Sequence, residues 1–547
     1  MLCVRTSLPL LFTTALLACG TPPALVGDGG TDPSGDNDAG GTSGGEDAGT
    51  LPGTDGGTDG GTHIRRIESL ELTPKQLSLQ VGGVSGLTAT ARFSDGTEGD
   101  VSGTVQWEVV PSGIATVEVL SMTENLVRVT GVAEGIASIK AKTGTVASDS
   151  IEVTVGDPST GKNYEVRAIW VTRFAYSNQN DVVRVINDAA DSGFNVVYFQ
   201  IRGAGDAYYK SQLVPWAARL SSPQTLGKDP GWDPLQVAID TAHARGIQLH
   251  AYWNVYSAWT TPSGCASAGT CTCQPTPGQS DSCTLPPASP SGQPTHALRA
   301  NPDWMAVNAQ GKSADSEYYW FSPGNPAVKA HLLAVASELL DNYAVDGLHL
   351  DRVRYAGPQY SRDAASLAAY NAIPQSERPT WEDWQREQVN GLVGDLYELM
   401  KLKRPNAVMS ASVWGIYKQL PGCGTSQGYA NYYQDSIAWM KRGLIDALTP
   451  MIYWDLGTGC TDWATHLGVF MAGSNGRPII AGMHALDMNS FQMSRIKARI
   501  EHGRSVGAAG HSVFASTYLS QYDTWSAFNA PAGPYAESAE PPPITWR

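Results

Sequence analysis

Charge is scarce in this chain: only 16% of its 547 residues are Asp, Glu, Lys or Arg, and acids outnumber bases 52 to 37. No basic stretch interleaved with aromatics occurs, which excludes the footprint of a nucleic-acid binder. No apolar run reaches the ~18 residues that a membrane helix needs. No His-Glu-x-x-His motif is present, and no Gly-rich fingerprint follows the first strand-like segment after Lys162. Zincin and dinucleotide chemistries therefore have no local support, and no cofactor or metal is expected. Cysteine is also sparse, with eight in the whole chain.

The little charge present is unevenly placed. From Gly20 to Thr62 there are eight Asp or Glu and no Lys or Arg, so over half of the net charge of −15 sits in one Gly/Thr/Asp-rich stretch. Such a stretch cannot bury enough apolar surface to order itself, and residues 19–65 are read as a flexible tether. As a coil, a tether of this length averages roughly 37 Å between its ends. Before it, Arg5 and the apolar run Leu8 to Leu17 have the layout of a signal peptide over residues 1–18. The run closes on Leu16-Leu17-Ala18-Cys19, which resembles a bacterial lipobox, so Cys19 is the expected lipidation site and the membrane an expected partner. Stable anchoring requires more than one acyl chain. With Cys3 removed, Cys265, Cys271, Cys273, Cys283, Cys423 and Cys460 remain, and an even number in an exported chain favours three disulfides. Two are expected within Cys265 to Cys283. The third is expected between Cys423 and Cys460, which follow adjacent strands on one rim.

Length alone implies two or three folded units. Residues 66–156 hold short β-rich segments such as Gln106-Trp-Glu-Val-Val110 and Ile151-Glu-Val-Thr-Val155, separated by turn residues, and read as an all-β sandwich. The run Val129-Thr-Gly-Val-Ala-Glu-Gly-Ile-Ala-Ser-Ile-Lys-Ala141 resembles the bacterial immunoglobulin-like group 2 module. From residue 163 to 530, apolar β-like runs alternate with helix-period stretches. Eight strands are predicted: Val166–Thr172, Asn195–Arg202, Ile247–Asn254, Val345–Asp351, Ala407–Trp414, Ala447–Asp455, Pro478–Ala485 and Ser512–Leu519. Eight βα repeats predict an α/β fold, a (β/α)8 TIM barrel behind an immunoglobulin-like sandwich. Residues 531–547 are left as a C-terminal tail.

Active sites of such barrels form at the C-terminal ends of the strands. Alternate residues counted back from those ends are unusually polar: Gln200 and Arg202, then His250, Tyr252 and Asn254, then His349 and Asp351. Ser412, Trp414, Tyr453, Asp455 and His484 continue the series. Asp351 closes a buried apolar strand, where an acid is either used by the cleft or paired with Arg352 or Arg354. His349, on the same face, reads equally as a hydrogen-bonded core residue. Glycoside cleavage usually needs two carboxyl groups. Asp455 is the first choice for the second, Asp206 the rival, and Asp487 a weaker one. Arg354, Tyr355, Trp414, Tyr453, Trp454 and His484 join Arg202, His250, Tyr252, Asn254 and His349 as expected substrate-binding residues, aromatics among them suiting sugar faces.

At these residues the chain resembles the glycosyl hydrolase-like 10 family, from about Val166 to Tyr518. The carrying segments include Val166-Arg-Ala-Ile-Trp-Val-Thr172, Gly193-Phe-Asn-Val-Val-Tyr-Phe-Gln-Ile-Arg202, Asp346-Gly-Leu-His-Leu-Asp351 and Pro450-Met-Ile-Tyr-Trp454. The resemblance implies an exported lipoprotein acting on a polysaccharide, a glycan strand of amino sugars, with Asp351 on the family's strand-four acid. Many members carry another acid directly after it, where this chain has Arg352. Two functions stand side by side: a glycoside hydrolase, and a non-catalytic glycan-binding lipoprotein that kept the cleft. A monomer is expected.

Overall fold

The computed structural model of the chain describes residues 65–79, 83–122, 125–156, 164–261, 285–311, 313, 317–457, 459–486 and 490–544. Cys19, Asp487 and the four cysteines from Cys265 to Cys283 lie outside the described residues. Arg66–Arg547 form one compact unit.

Residues 66–155 are all-β. Ile67–Thr73 pairs antiparallel with Thr88–Phe93, and Gly135–Thr143 pairs with both Gln106–Val110 and Ile151–Val155. Side chains alternate between buried and accessible along Ile151–Val155, as a half-buried strand requires. Leu72, Ala89, Ala91, Val129, Ile139 and Val153 fill the space between the sheets.

The remainder is the barrel. Its strands are β1 (Val166–Val171), β2 (Val196–Arg202), β3 (Gln248–Asn254), β4 (Gly347–Asp351), β5 (Val408–Trp414), β6 (Ala447–Met451), β7 (Ile480–His484) and β8 (Gly510–Phe514). All neighbours pair in parallel in the order β6-β5-β4-β3-β2-β1-β8-β7. A bridge between Leu448 and Ile479, with Leu448 N donating to Pro478 O at 3.1 Å, closes the ring. The outer helices are α1 (Gln179–Asp191), α2 (Pro234–Ala244), α3 (Pro326–Asn342), α4 (Trp381–Lys403), α5 (Ser436–Lys441), α6 (Trp463–Ala472), α7 (Ser490–Ser505) and α8 (Ser516–Gln521). Asn178, Asp233, Asn325, Thr380, Asp435 and Asp462 each accept a backbone N–H at the start of α1 to α6. These side chains satisfy donors that a helix start leaves orphaned.

Two strands end four or five residues short of the sequence reading, while the other six agree with it to within two residues at each end. The sixth ends at Met451, not Asp455, because Pro450 brings no N–H to the ladder and Ile452 N turns back to Pro450 O at 2.9 Å. The eighth is Gly510–Phe514, and Ser516 onward is helical, so the apolar run to Leu519 belongs to two elements. Past Ala530 the chain stays packed: Tyr535 is buried between Phe194 and Phe528, and Glu165 N donates to Glu540 O at 2.9 Å.

The β-sandwich rests on the loops that lead into β6, β7 and β8, at the N-terminal end of the strands. Gly86 N donates to Ser474 Oγ at 3.0 Å, Gly476 N to Ser85 Oγ at 2.9 Å, and Lys441 Nζ bonds Asp100 at 3.0 Å. A Cβ on Gly86 would stand 2.4 Å from Ala472 O, so only glycine allows this approach. Among the described residues, these contacts of the sandwich lie at the end of the barrel opposite the C-terminal face.

Candidate functional site

The barrel interior is plugged by a layer of rings. Trp170 on β1 meets Tyr252 and His349 edge-on, each at 4.7 Å between centroids, and His349 stacks on Tyr198 at 3.8 Å. His349 is fully buried with Nδ1 2.7 Å from Ser410 Oγ, and burial, with His250 adding to it, holds the ring well below its ordinary pKa. His250 lies lower still, near Gly347, bonded to Gln248 at 3.1 Å, and burial lowers it to about 4 against the pull of Asp346 and Asp446. Both are neutral core residues beneath the cleft. Among the described residues, no group of three His, Cys, Asp or Glu is arranged to hold a metal ion.

Asp351 stands on this floor, at the last position of β4 and only 8% exposed. Its Oδ1 accepts from Ser412 Oγ and from Arg352 N, both at 2.7 Å, and its Oδ2 accepts from Tyr252 OH at 3.1 Å. β3, β4 and β5 therefore converge on one carboxyl group. Tyr453 also feels its charge: burial first, and Asp351 second, raise the Tyr453 hydroxyl above its ordinary value, and the same two causes raise Tyr252. Both phenols stay protonated. Tyr453 packs edge-on to His484 at 5.8 Å, so two expected binding residues share the β6–β7 side of the mouth.

The other expected residues divide. Trp414 is on the rim against Tyr432 at 4.4 Å, with the Arg354 guanidinium 4.4 Å from the Tyr432 ring. Asn254 is buried, its Nδ2 donating to Gly203 O at 3.0 Å, and so supports the loop after β2. A register shift between Gln200 and Arg202 turns Arg202 away from the interior. It is fully buried over Trp253 and Phe321 and donates to Asn254 O and Val255 O, which puts it out of reach of a ligand in the cleft. Tyr355 is equally enclosed, beside Tyr433. Asp206 Oδ1 accepts from Ala204 N at 2.8 Å and Gly203 N at 3.3 Å, bracing its own loop. Asp455, in the loop beyond β6, forms ion pairs with Arg495 and Arg499, while Arg499 also holds Trp454 O at 2.8 Å.

Sequence reasoning missed one part of the rim. The short strand Tyr318–Trp320 pairs antiparallel with Ser257–Thr260 and brings Glu317 to Arg352, at 2.5 Å. Arg352 adopts a left-handed φ of 50°, and its guanidinium lies 4.7 Å from the Tyr318 ring. The β-like run Tyr318-Tyr-Trp320 was readable; its pairing with a segment some sixty positions earlier was not. On the β5–β6 side, Cys423 and Cys460 form the expected disulfide, with Cα atoms 5.6 Å apart, and tie two rim loops together.

The glycosyl hydrolase-like 10 profile matches residues 165–466, from just before β1 into α6. The chain belongs to the glycosyl hydrolase-like 10 family. Residues 66–155 match the bacterial Ig-like domain, group 2. Within the family's reach the chain is 26% identical over 312 residues to glycosyl hydrolase YngK of Bacillus subtilis, covering 54% of this chain and 55% of that one. It is 28% identical over 272 residues to glycosyl hydrolase DigH of Escherichia coli, covering 48% of this chain and 55% of that one. The chain thus spans about half the length of the curated relatives it matches. Among solved structures it is similar to the PgaB (BpsB) glycoside hydrolase domain from Bordetella bronchiseptica, with TM-score 0.45 and 15% identity over 68% of this chain and 99% of that one.

Proposed function

We propose that this family member is an exported glycoside hydrolase, anchored through a lipid on Cys19, that cleaves a glycan strand of amino sugars in the cell wall or an extracellular polysaccharide. The observation that carries the reading is Asp351: one carboxyl, at the C-terminal end of β4, held by three donors beside the rings of Tyr252 and Tyr453. Three donors fix the orientation of a carboxylate and leave it able to stabilise positive charge developing at an anomeric carbon, or to attack it. In hydrolysis the glycosidic C–O bond breaks, water supplies the hydroxyl to the anomeric carbon, and its proton ends on the leaving oxygen. Tether and lipid would let the barrel sweep the space near a membrane.

The second reading, a glycan-binding lipoprotein without catalysis, draws on one observation. Asp455 is held by two arginines and Asp206 by its own loop, so neither is set up as a proton donor to a bond above Asp351. Incubating the full chain with purified glycan strands separates the two. Release of reducing ends supports the hydrolase; retention on glycan with no release over prolonged incubation supports the binder.

A further inference from the structure

One aromatic ring on the rim is left outside the core. Phe174 follows β1 in the loop on the C-terminal face and is 61% exposed; the other exposed aromatics among the described residues are Tyr164, which lies before β1, and Tyr522, each below 40%. The loop is not slack. Tyr176, two residues on, is buried and stacks on Phe199 at 4.9 Å with the planes 14° apart. The guanidinium groups of Arg173 and Arg219 lie 4.8 and 5.2 Å from the Phe174 centroid, and the remaining exposure means that they leave ring surface open. Arg173 is itself fixed, its N donating to Gln200 Oε1 at 2.8 Å and its Nη2 to Tyr318 OH at 3.0 Å. Tyr318 carries Arg352, and Arg352 N bonds Asp351. A chain of contacts thus links the carboxyl of Asp351, through Arg352, Tyr318 and Arg173, to the open ring of Phe174.

We propose that Phe174 is a stacking platform for one sugar ring of the substrate strand, an outer subsite away from the bond above Asp351. A pyranose presents an apolar C–H face that covers an aromatic ring, while its equatorial hydroxyls reach the guanidinium of Arg219, the more accessible of the two arginines. A rigid, preplaced ring takes this ligand with little ordering cost, which explains why a large apolar group is held in water at the mouth of a cleft. The inference rests on the glycosidase reading of the cleft.

The test compares wild type, Phe174→Ala and Phe174→Trp, each as the full chain, on purified glycan strands and on a disaccharide too short to span both places. For long strands Phe174→Ala should raise KM about tenfold, equivalent to ~1.4 kcal/mol of binding, with a smaller fall in kcat. Phe174→Trp should restore KM, and melting temperatures should agree because the side chain is mostly in water. The long-strand advantage over the disaccharide should shrink in Phe174→Ala alone. If wild type cleaves strands and Phe174→Ala has the same KM, the platform is wrong and the hydrolase reading stands. If wild type neither cleaves nor retains glycan, both are wrong.

Discussion

Replacing Asp351 by Asn isolates the chemistry of this carboxyl from its place in the fold. The side chain keeps its shape, and its remaining oxygen still accepts from Ser412 and Arg352 N, the two bonds of 2.7 Å. The new amide faces Tyr252 OH, which rotates its proton away and accepts in place of donating. Hydrogen bonds to a charged group are worth ~1.5–3 kcal/mol and neutral ones ~0.5–1.5, so three weakened bonds lose a few kcal/mol gross. Removing a charge from a nearly enclosed site returns part of that, and the net change in stability is expected near ~1 kcal/mol. Asp351→Ala is the wrong probe: it strands three buried donors, at about 1–3 kcal/mol each. The catalytic effect is of another order. An amide neither attacks an anomeric carbon nor stabilises its positive charge nor exchanges a proton, and loss of a catalytic carboxyl typically costs 10²–10⁴-fold or more, about 3–5 kcal/mol. Reducing-end release from glycan strands should therefore fall by at least ~10³-fold, while strand retention in a pull-down and the thermal midpoint change little. A variant that keeps more than a tenth of wild-type turnover would refute the assignment.

Other consequences are as concrete. Asp455→Asn breaks the pairs with Arg495 and Arg499 and should lower the thermal midpoint while glycan release stays above a tenth of wild type; a collapse in turnover would instead make Asp455 the proton donor. Glu165, buried beneath the barrel, is pushed up by burial but pulled down further by Arg504, His511 and Arg167, to about 2 from 4.5. Its folded value is depressed, so its contribution of roughly 3 kcal/mol is present above pH 4.5 and lost as pH falls towards 2; Glu165→Gln should melt lower than wild type at pH 7, and the gap should close in acid. His511, fully buried, is lowered by that burial to about 4 from 6.5, despite the attraction of Glu165. The folded state then binds fewer protons, and denaturant titrations should show stability falling between pH 6.5 and 4, less steeply in His511→Gln. The Cys423–Cys460 bridge closes 37 residues, for which chain entropy gives about 4 kcal/mol; Cys423→Ser/Cys460→Ser should loosen the β5–β6 rim, read as faster amide exchange there, with β1–β4 amides unchanged.

The alternation of apolar strand runs with helix-period stretches determined the eight-fold barrel, because parallel strands need crossover helices. The same reading put Asp351 at a strand end and Cys423 beside Cys460, since adjacent parallel strands deliver their C-terminal loops to one rim. Period-two counting also placed Tyr252, Ser412 and His349 on the inner face, where each is found. Depth was not legible. His250 and His349 share the parity of Tyr252 and Asp351 but lie lower in the barrel, where ring packing and burial make them neutral core groups. Nor was the fate of Arg202, because one register shift rotates a side chain off the face that parity assigns it. Only the tertiary structure decided which acids are occupied: the arginines that hold Asp455 come from α7, some forty residues on, and the donors that orient Asp351 come from strands up to 99 positions away. Sequence spacing sets which side chains face inward; packing of distant segments sets what each one meets.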